Sequence, residues 1–79
     1  MQRYFFNVRD GVSHPDAIGQ EFATLADARA AAVRFAADVL RDENDALLRG
    51  EEWAVELVDA ERGLLFSVIV ATVGTEPVA

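Results

Sequence analysis

Cysteine is absent from the 79-residue chain, which excludes disulfides, thiolate nucleophiles and Cys-ligated zinc. Lysine is absent too: all seven positive side chains are arginines, set against fourteen acidic residues, for a formal net charge of −7. A charge of that sign gives no general attraction to nucleic-acid phosphates or to anionic lipid, and nucleic acid is a disfavoured partner on that ground. Histidine occurs once, at His14, and serine twice, at Ser13 and Ser67; neither serine sits in a nucleophile-elbow pattern. The five glycines are isolated from one another and build no phosphate-cradling loop. No catalytic residue, cofactor or metal-ligand set is predicted, and the pattern points away from an enzyme. The longest apolar run, GLLFSVIVATVG over 63–74, is far shorter than the ~20 residues of a membrane-spanning helix. No membrane association is expected, and the amino terminus lacks a secretory pattern, which makes the cytoplasm the expected location.

The composition is 52% hydrophobic and 27% charged, well away from that of a disordered chain. One small α+β domain over 1–79 is expected, with 74–79 as a flexible tail. A chain this short buries a modest core, and association with a partner would add to its stability.

RYFFNVR, residues 3–9, alternates as a strand does. Tyr4, Phe6 and Val8 point one way, and Arg3, Phe5, Asn7 and Arg9 the other. Asp10-Gly11 is a turn signal, Pro15 interrupts backbone pairing and Gly19 permits an unusual backbone angle. Residues 10–19 therefore read as a loop, and 20–23 as a short extra edge strand.

Thr24 can cap a helix with Asp27 three residues on. The alanine-rich stretch that follows, to Leu48, has high helix propensity. Leu25, Ala28, Ala32, Phe35, Ala36, Val39, Leu40 and Leu47 fall on one side, predicting one long helix of about six turns packed on one face. Glu43 lies on that apolar side, which predicts a bend or departure after residue 42, and Gly50 suits the stop.

In EWAVELVDAERGLLFSVIVAT, residues 52–72, Trp53, Val55 and Leu57 alternate with Ala54, Glu56 and Val58 around a polar turn at 59–63. The next strand, from Leu64 to about Val73, is apolar on both sides. Leu64, Phe66, Val68 and Val70 share one side, with Leu65, Ser67 and Ile69 opposite. A doubly apolar strand suits the middle of a sheet. The expected architecture is a single β-α-β-β domain: a three-stranded, mostly antiparallel sheet in the order 1-3-2, crossed right-handedly and covered on one face by the long helix.

That arrangement leaves the second sheet face bare, with Phe5, Leu65 and Ile69 as its apolar residues. An apolar patch of that kind marks an association site, and twofold dimers are the commonest homo-oligomers. The expected function is homodimerisation or protein binding through the face or an edge, as an accessory or regulatory subunit. A second reading places a metal or small ligand in the 10–21 loop, at Asp10, His14, Asp16 and Glu21, residue types that bind cations or exchange protons; their spacing matches no specific metal motif. A third, a nucleic-acid-associated regulator stacking bases on Tyr4, Phe5 and Phe6, has only Arg3 and Arg9 nearby to meet phosphate.

YFFNVRDG at 4–11, Asp16 with GQEF at 19–22, LADARAAA at 25–32 and EEWAVELVD at 51–59 together resemble a family of small uncharacterised bacterial proteins. It is frequent in rhizobia and related alphaproteobacteria and known only as a domain of unknown function. The resemblance spans nearly the whole chain and implies a complete cytosolic domain; it carries no activity with it.

Overall fold

The computed structural model describes residues 1–74; the tail expected at 74–79 thus lies, from residue 75 on, outside the described residues. The elements run β1 (Gln2–Arg9), β2 (Ser13–His14), β3 (Gln20–Phe22), α1 (Leu25–Asp42), α2 (Asp45–Leu48), β4 (Trp53–Val58) and β5 (Leu64–Val70). They form an α+β fold with one five-stranded sheet, ordered β2-β1-β4-β5, in which β3 also pairs with β1. No described helix is long and apolar enough to cross a membrane.

This differs from the expected three-stranded order 1-3-2. The strand from Trp53 to Val58, not the one from Leu64, is central, and β1 and β4 are antiparallel, with Phe5 opposite Val58 and Arg9 opposite Ala54. The reason lies in residues 10–22, which do more than connect. They turn back along β1, pairing His14 with Val8 and then Phe22 with Gln2. The chain therefore returns to the starting end of β1 before α1 begins. The helix then carries it forward over the sheet, and β4 runs back on the other side of β1, antiparallel to β1 and parallel to β3. The parallel crossover therefore leads from β3 to β4 with β1 between them, not from β1 to the next long strand.

Local chemistry explains the helix boundaries. The Thr24 hydroxyl accepts from the Asp27 backbone N–H at 3.1 Å, and Asp27 and Arg41 place charges of the stabilising sign at the two ends. The single long helix expected to Leu48 is two helices: α1 stops at Asp42 with Glu43 as its C-cap, and the one-turn α2 follows. The break falls where Glu43 would otherwise be carried onto the sheet.

Ala28, Ala32 and Ala36 form the buried stripe of α1, at 0, 0 and 3% exposure. Their 4-residue spacing keeps them on one face, and their small side chains let the helix approach the sheet closely. Phe35 and Leu40, on the flanks of the stripe, are more than a third exposed. Beneath it, Trp53, Val55 and Leu57 project from β4, and Val55 and Leu57 are the largest fully buried side chains. Tyr4, Phe6 and Val8 from β1 and Phe66, Val68 and Val70 from β5 complete the two contiguous clusters. Each large side chain fully buried there, such as Val55 or Leu57, contributes roughly 1.5–3 kcal/mol.

Leu64 departs from its expected side. Leu57 pairs with Phe66 but Val58 pairs with Leu64, so Leu65 is an extra residue in β5. That bulge turns Leu64 to register with Val58, on the face away from the helix.

Gly19 fixes the returning segment against β1. Its φ is +74°, and a Cβ there would stand 2.8 Å from both the Tyr4 carbonyl oxygen and the Phe5 ring. Gly11, at φ +96°, has open space around it. Gly19→Ala is expected to destabilise the domain by about 3 kcal/mol, from the left-handed backbone and the overpacking together. Gly11→Ala should cost only ~1–2 kcal/mol, and urea denaturation midpoints of the two variants check the difference.

Candidate functional site

Two regions hold the residues singled out from the sequence: the returning segment on one edge of the sheet, and the face and edge around β5. In the first, Asp10 and His14 do come together, His14 Nε2 lying 3.1 Å from Asp10 Oδ1. Both side chains are about half exposed, and an exposed pair of this kind is worth at most ~1 kcal/mol. Asp10 Oδ1 also accepts from the Val12 backbone N–H, at 3.4 Å, as a turn aspartate does.

Asp16 is committed to the backbone. Its Oδ1 accepts from the N–H groups of Ile18 (2.9 Å) and Gly19 (3.0 Å), and its Oδ2 from that of Phe6 (3.2 Å). Its own N–H donates to Asn7 Oδ1 at 2.9 Å. The carboxylate thus stands where a strand would, joining the edge of β1 between the stretches paired by β2 and β3. Partial burial works against its charge, yet the Gly19, Ile18 and Phe6 amides and the positive Arg62 together hold its pKa below the ordinary value. Glu21 is separated from this group, lying in β3 opposite Arg3. Among the described residues no group of three His, Asp or Glu side chains converges as a metal site would require.

Cavities border this region. One of about 470 Å³ lies between the returning segment and α1, with Phe6, His14, Asp16 and Phe35 in its walls. Another of about 470 Å³, at the C-terminal end of α1, is walled by Asp10, Asp42, Glu43 and Asp45 together with Arg49 and Trp53. Its carboxylates outnumber its single guanidinium, so it repels anions. The Trp53 Nε1–H is buried and meets no acceptor among the described residues.

On the sheet face away from the helices, Phe5 is covered from within the chain. The Arg62 guanidinium carbon sits 4.2 Å above the Phe5 ring centroid, a cation–π contact. Arg62 reaches it from the β4–β5 turn in a left-handed conformation, φ 66°. The turn is held by Asp59, whose Oδ1 accepts from Glu61 and Gly63 N–H. Arg9 and Glu56 pair at 3.3 Å further along the same face. Nothing in the alternation of apolar residues marked Arg62, Asn7 or Asp59; the Asp-x-x-Gly spacing at 16–19 was the one signal available for the Asp16 cap.

Leu65 and Ile69 lie on the β5 side of that face and remain exposed, at 36% and 62%, with Leu64 at 60%. Among the described residues β5 pairs with β4 alone. No charged residue occurs between Arg62 and Glu76. Strand edges are ordinarily blunted by charge, proline, a bulge or a covering segment. The β1 edge has its cover in residues 13–22, whereas among the described residues β5 has only the bulge at Leu65.

Because the Asp16 pKa is depressed on folding, its contribution to stability is complete above the unfolded value and is lost as pH falls through the folded one. Asp16→Asn should therefore destabilise the domain at pH 7, by about 1.5–3 kcal/mol for the weakened charged hydrogen bonds. The gap to the parent protein should narrow as the pH falls below about 4. Thermal unfolding of both proteins between neutral and acid pH measures it.

No curated protein and no solved structure matches the chain. A family model described as a domain of unknown function, DUF6894, matches residues 3–71, a span that takes in the returning segment, both helices and all of β5. The chain belongs to the DUF6894 family.

Proposed function

We propose that this domain acts by self-association, as a homodimer formed through the β5 side of the sheet. The observation that supports the reading most is the contrast between the two edges. One is sealed by a segment that turns back and by a carboxylate set into the ladder. The other is an uncharged strand with Leu64 and Ile69 exposed. An unguarded apolar edge of this kind is a template for another strand.

A second copy suits this surface electrostatically. Two chains of charge −7 repel one another over most of their surfaces, and an uncharged strand is where they meet at least cost. A basic partner would instead be drawn to the acidic cavity at the end of α1. The alternative of a ligand in the returning segment has less support, since Asp16 is already engaged by three backbone amides and Glu21 lies apart.

Light scattering on the untagged protein at tens of micromolar is expected to give twice the 8.6 kDa of one chain. Ile69→Lys should raise the dissociation constant at least tenfold, about 1.4 kcal/mol. Val33→Lys, at an exposed position of α1, should leave it unchanged. A monomer across the whole range would reject self-association.

A further inference from the structure

We propose that the two copies join edge to edge, β5 against β5 of the partner, antiparallel and with Val68 on the twofold axis, so that two five-stranded sheets become one. This rests on the self-association reading and specifies the contact that carries it. The other geometry open to a bare sheet surface is stacking face to face, and the side chains on that face oppose it. Arg9 and Glu56 form their ion pair there, and Arg62 spreads its guanidinium over Phe5. Stacking would take all three charged groups out of water, and the loss of hydration exceeds what such pairs return unless every hydrogen bond is remade. The β5 edge carries no charge, and its outward N–H and C=O groups need only a second strand.

The register follows from the bulge. Beyond Leu65 the β5 ladder is regular, with Phe66, Ser67, Val68, Ile69 and Val70 opposite Leu57, Glu56, Val55, Ala54 and Trp53. A bulge distorts the strand and interrupts pairing around it, so the segment able to accept a partner is Phe66–Val70. Its full overlap with a second copy, run antiparallel, centres on Val68. Phe66 then lies opposite the partner's Val70, and Ser67 opposite the partner's Ile69. A twofold axis through an antiparallel pair stands perpendicular to the sheet, so both α1 helices share one face. Ser67 and Ile69, in register with Glu56 and Ala54, lie on the other. There the two Ile69 side chains flank the axis, each beside a serine of the other chain.

The absence of cysteine makes cross-linking unambiguous. Opposed residues of antiparallel strands have Cα atoms about 4.5–5.5 Å apart, within the range a disulfide spans. Ser67→Cys and Ile69→Cys are oxidised mildly, each alone and as an equimolar mixture, with the solution mass of each sample taken under reducing conditions. The mixture is expected to yield the mixed covalent dimer, and each variant alone to yield none. Efficient linkage of Ser67→Cys to itself would move the axis to residue 67 and overturn the register. A dimeric mass with no linkage in the mixture would overturn edge pairing while leaving self-association standing. A monomeric mass throughout, with the parent protein also monomeric, would remove both.

Discussion

Everything else in the fold depends on how residues 10–22 are held against the outer edge of β1. Two short stretches of strand pairing, at 13–14 and 20–22, would be weak alone. Asp16 joins them by accepting the Phe6 N–H that neither stretch reaches and by closing its own turn onto Ile18 and Gly19. Once the chain has been returned to the start of β1, α1 must run the length of the sheet before the next strand can begin, and β4 must be antiparallel to β1. The arrangement of the sheet is thus set by one carboxylate and one glycine, neither of them part of the apolar core.

The same constraint divides the molecule's two edges. Sealing β1 with residues 13–22 leaves β4 as the strand set between two long strands, β1 and β5, and β4 carries Leu57 and Val55, the largest fully buried side chains. The helix fits over it through alanines. A stripe of Ala28, Ala32 and Ala36 allows close approach but removes little area from water for each residue. The core is correspondingly thin, and Phe35, Leu40, Leu64 and Ile69 stay partly in solvent. A domain of this size that leaves an uncharged strand open at one edge gains from having that edge covered.

Much of the local structure was legible in the chain. Thr24 with Asp27 marked the helix start, the position of Glu43 marked a departure after residue 42 though not the end of α1 there, and alternation separated the helix-facing side chains Tyr4, Phe6, Val8, Trp53, Val55 and Leu57 from those opposite. The strand order was not legible, for two physical reasons. The strand at 13–14 is too short for periodicity to register, the short edge strand read at 20–23 carried no sign of which strand it pairs with, and the pairing of both is completed by a side chain whose role depends on distant amides. The apolar character of 64–70 on both sides suits a central strand and an edge strand awaiting a partner equally well. Phe5 shows a further limit: what covers it is the tip of Arg62, brought across two strands by a turn residue at φ 66°. Of the loop residues Asp10, His14, Asp16 and Glu21, only the first two meet each other, because the turn at 16–19 directs Asp16 to the backbone and carries Glu21 onward into β3.

The central claim is that one edge of the sheet is closed within the chain and the other is closed by a second chain. Amide hydrogen exchange, resolved residue by residue and repeated over a hundredfold range of protein concentration, tests it most directly. The account predicts that Phe6, whose N–H is bound to Asp16, is protected equally at every concentration. It predicts that the outward-facing amides within Phe66–Val70 gain protection as concentration rises. Exchange at those β5 amides that stays fast and independent of concentration would contradict it.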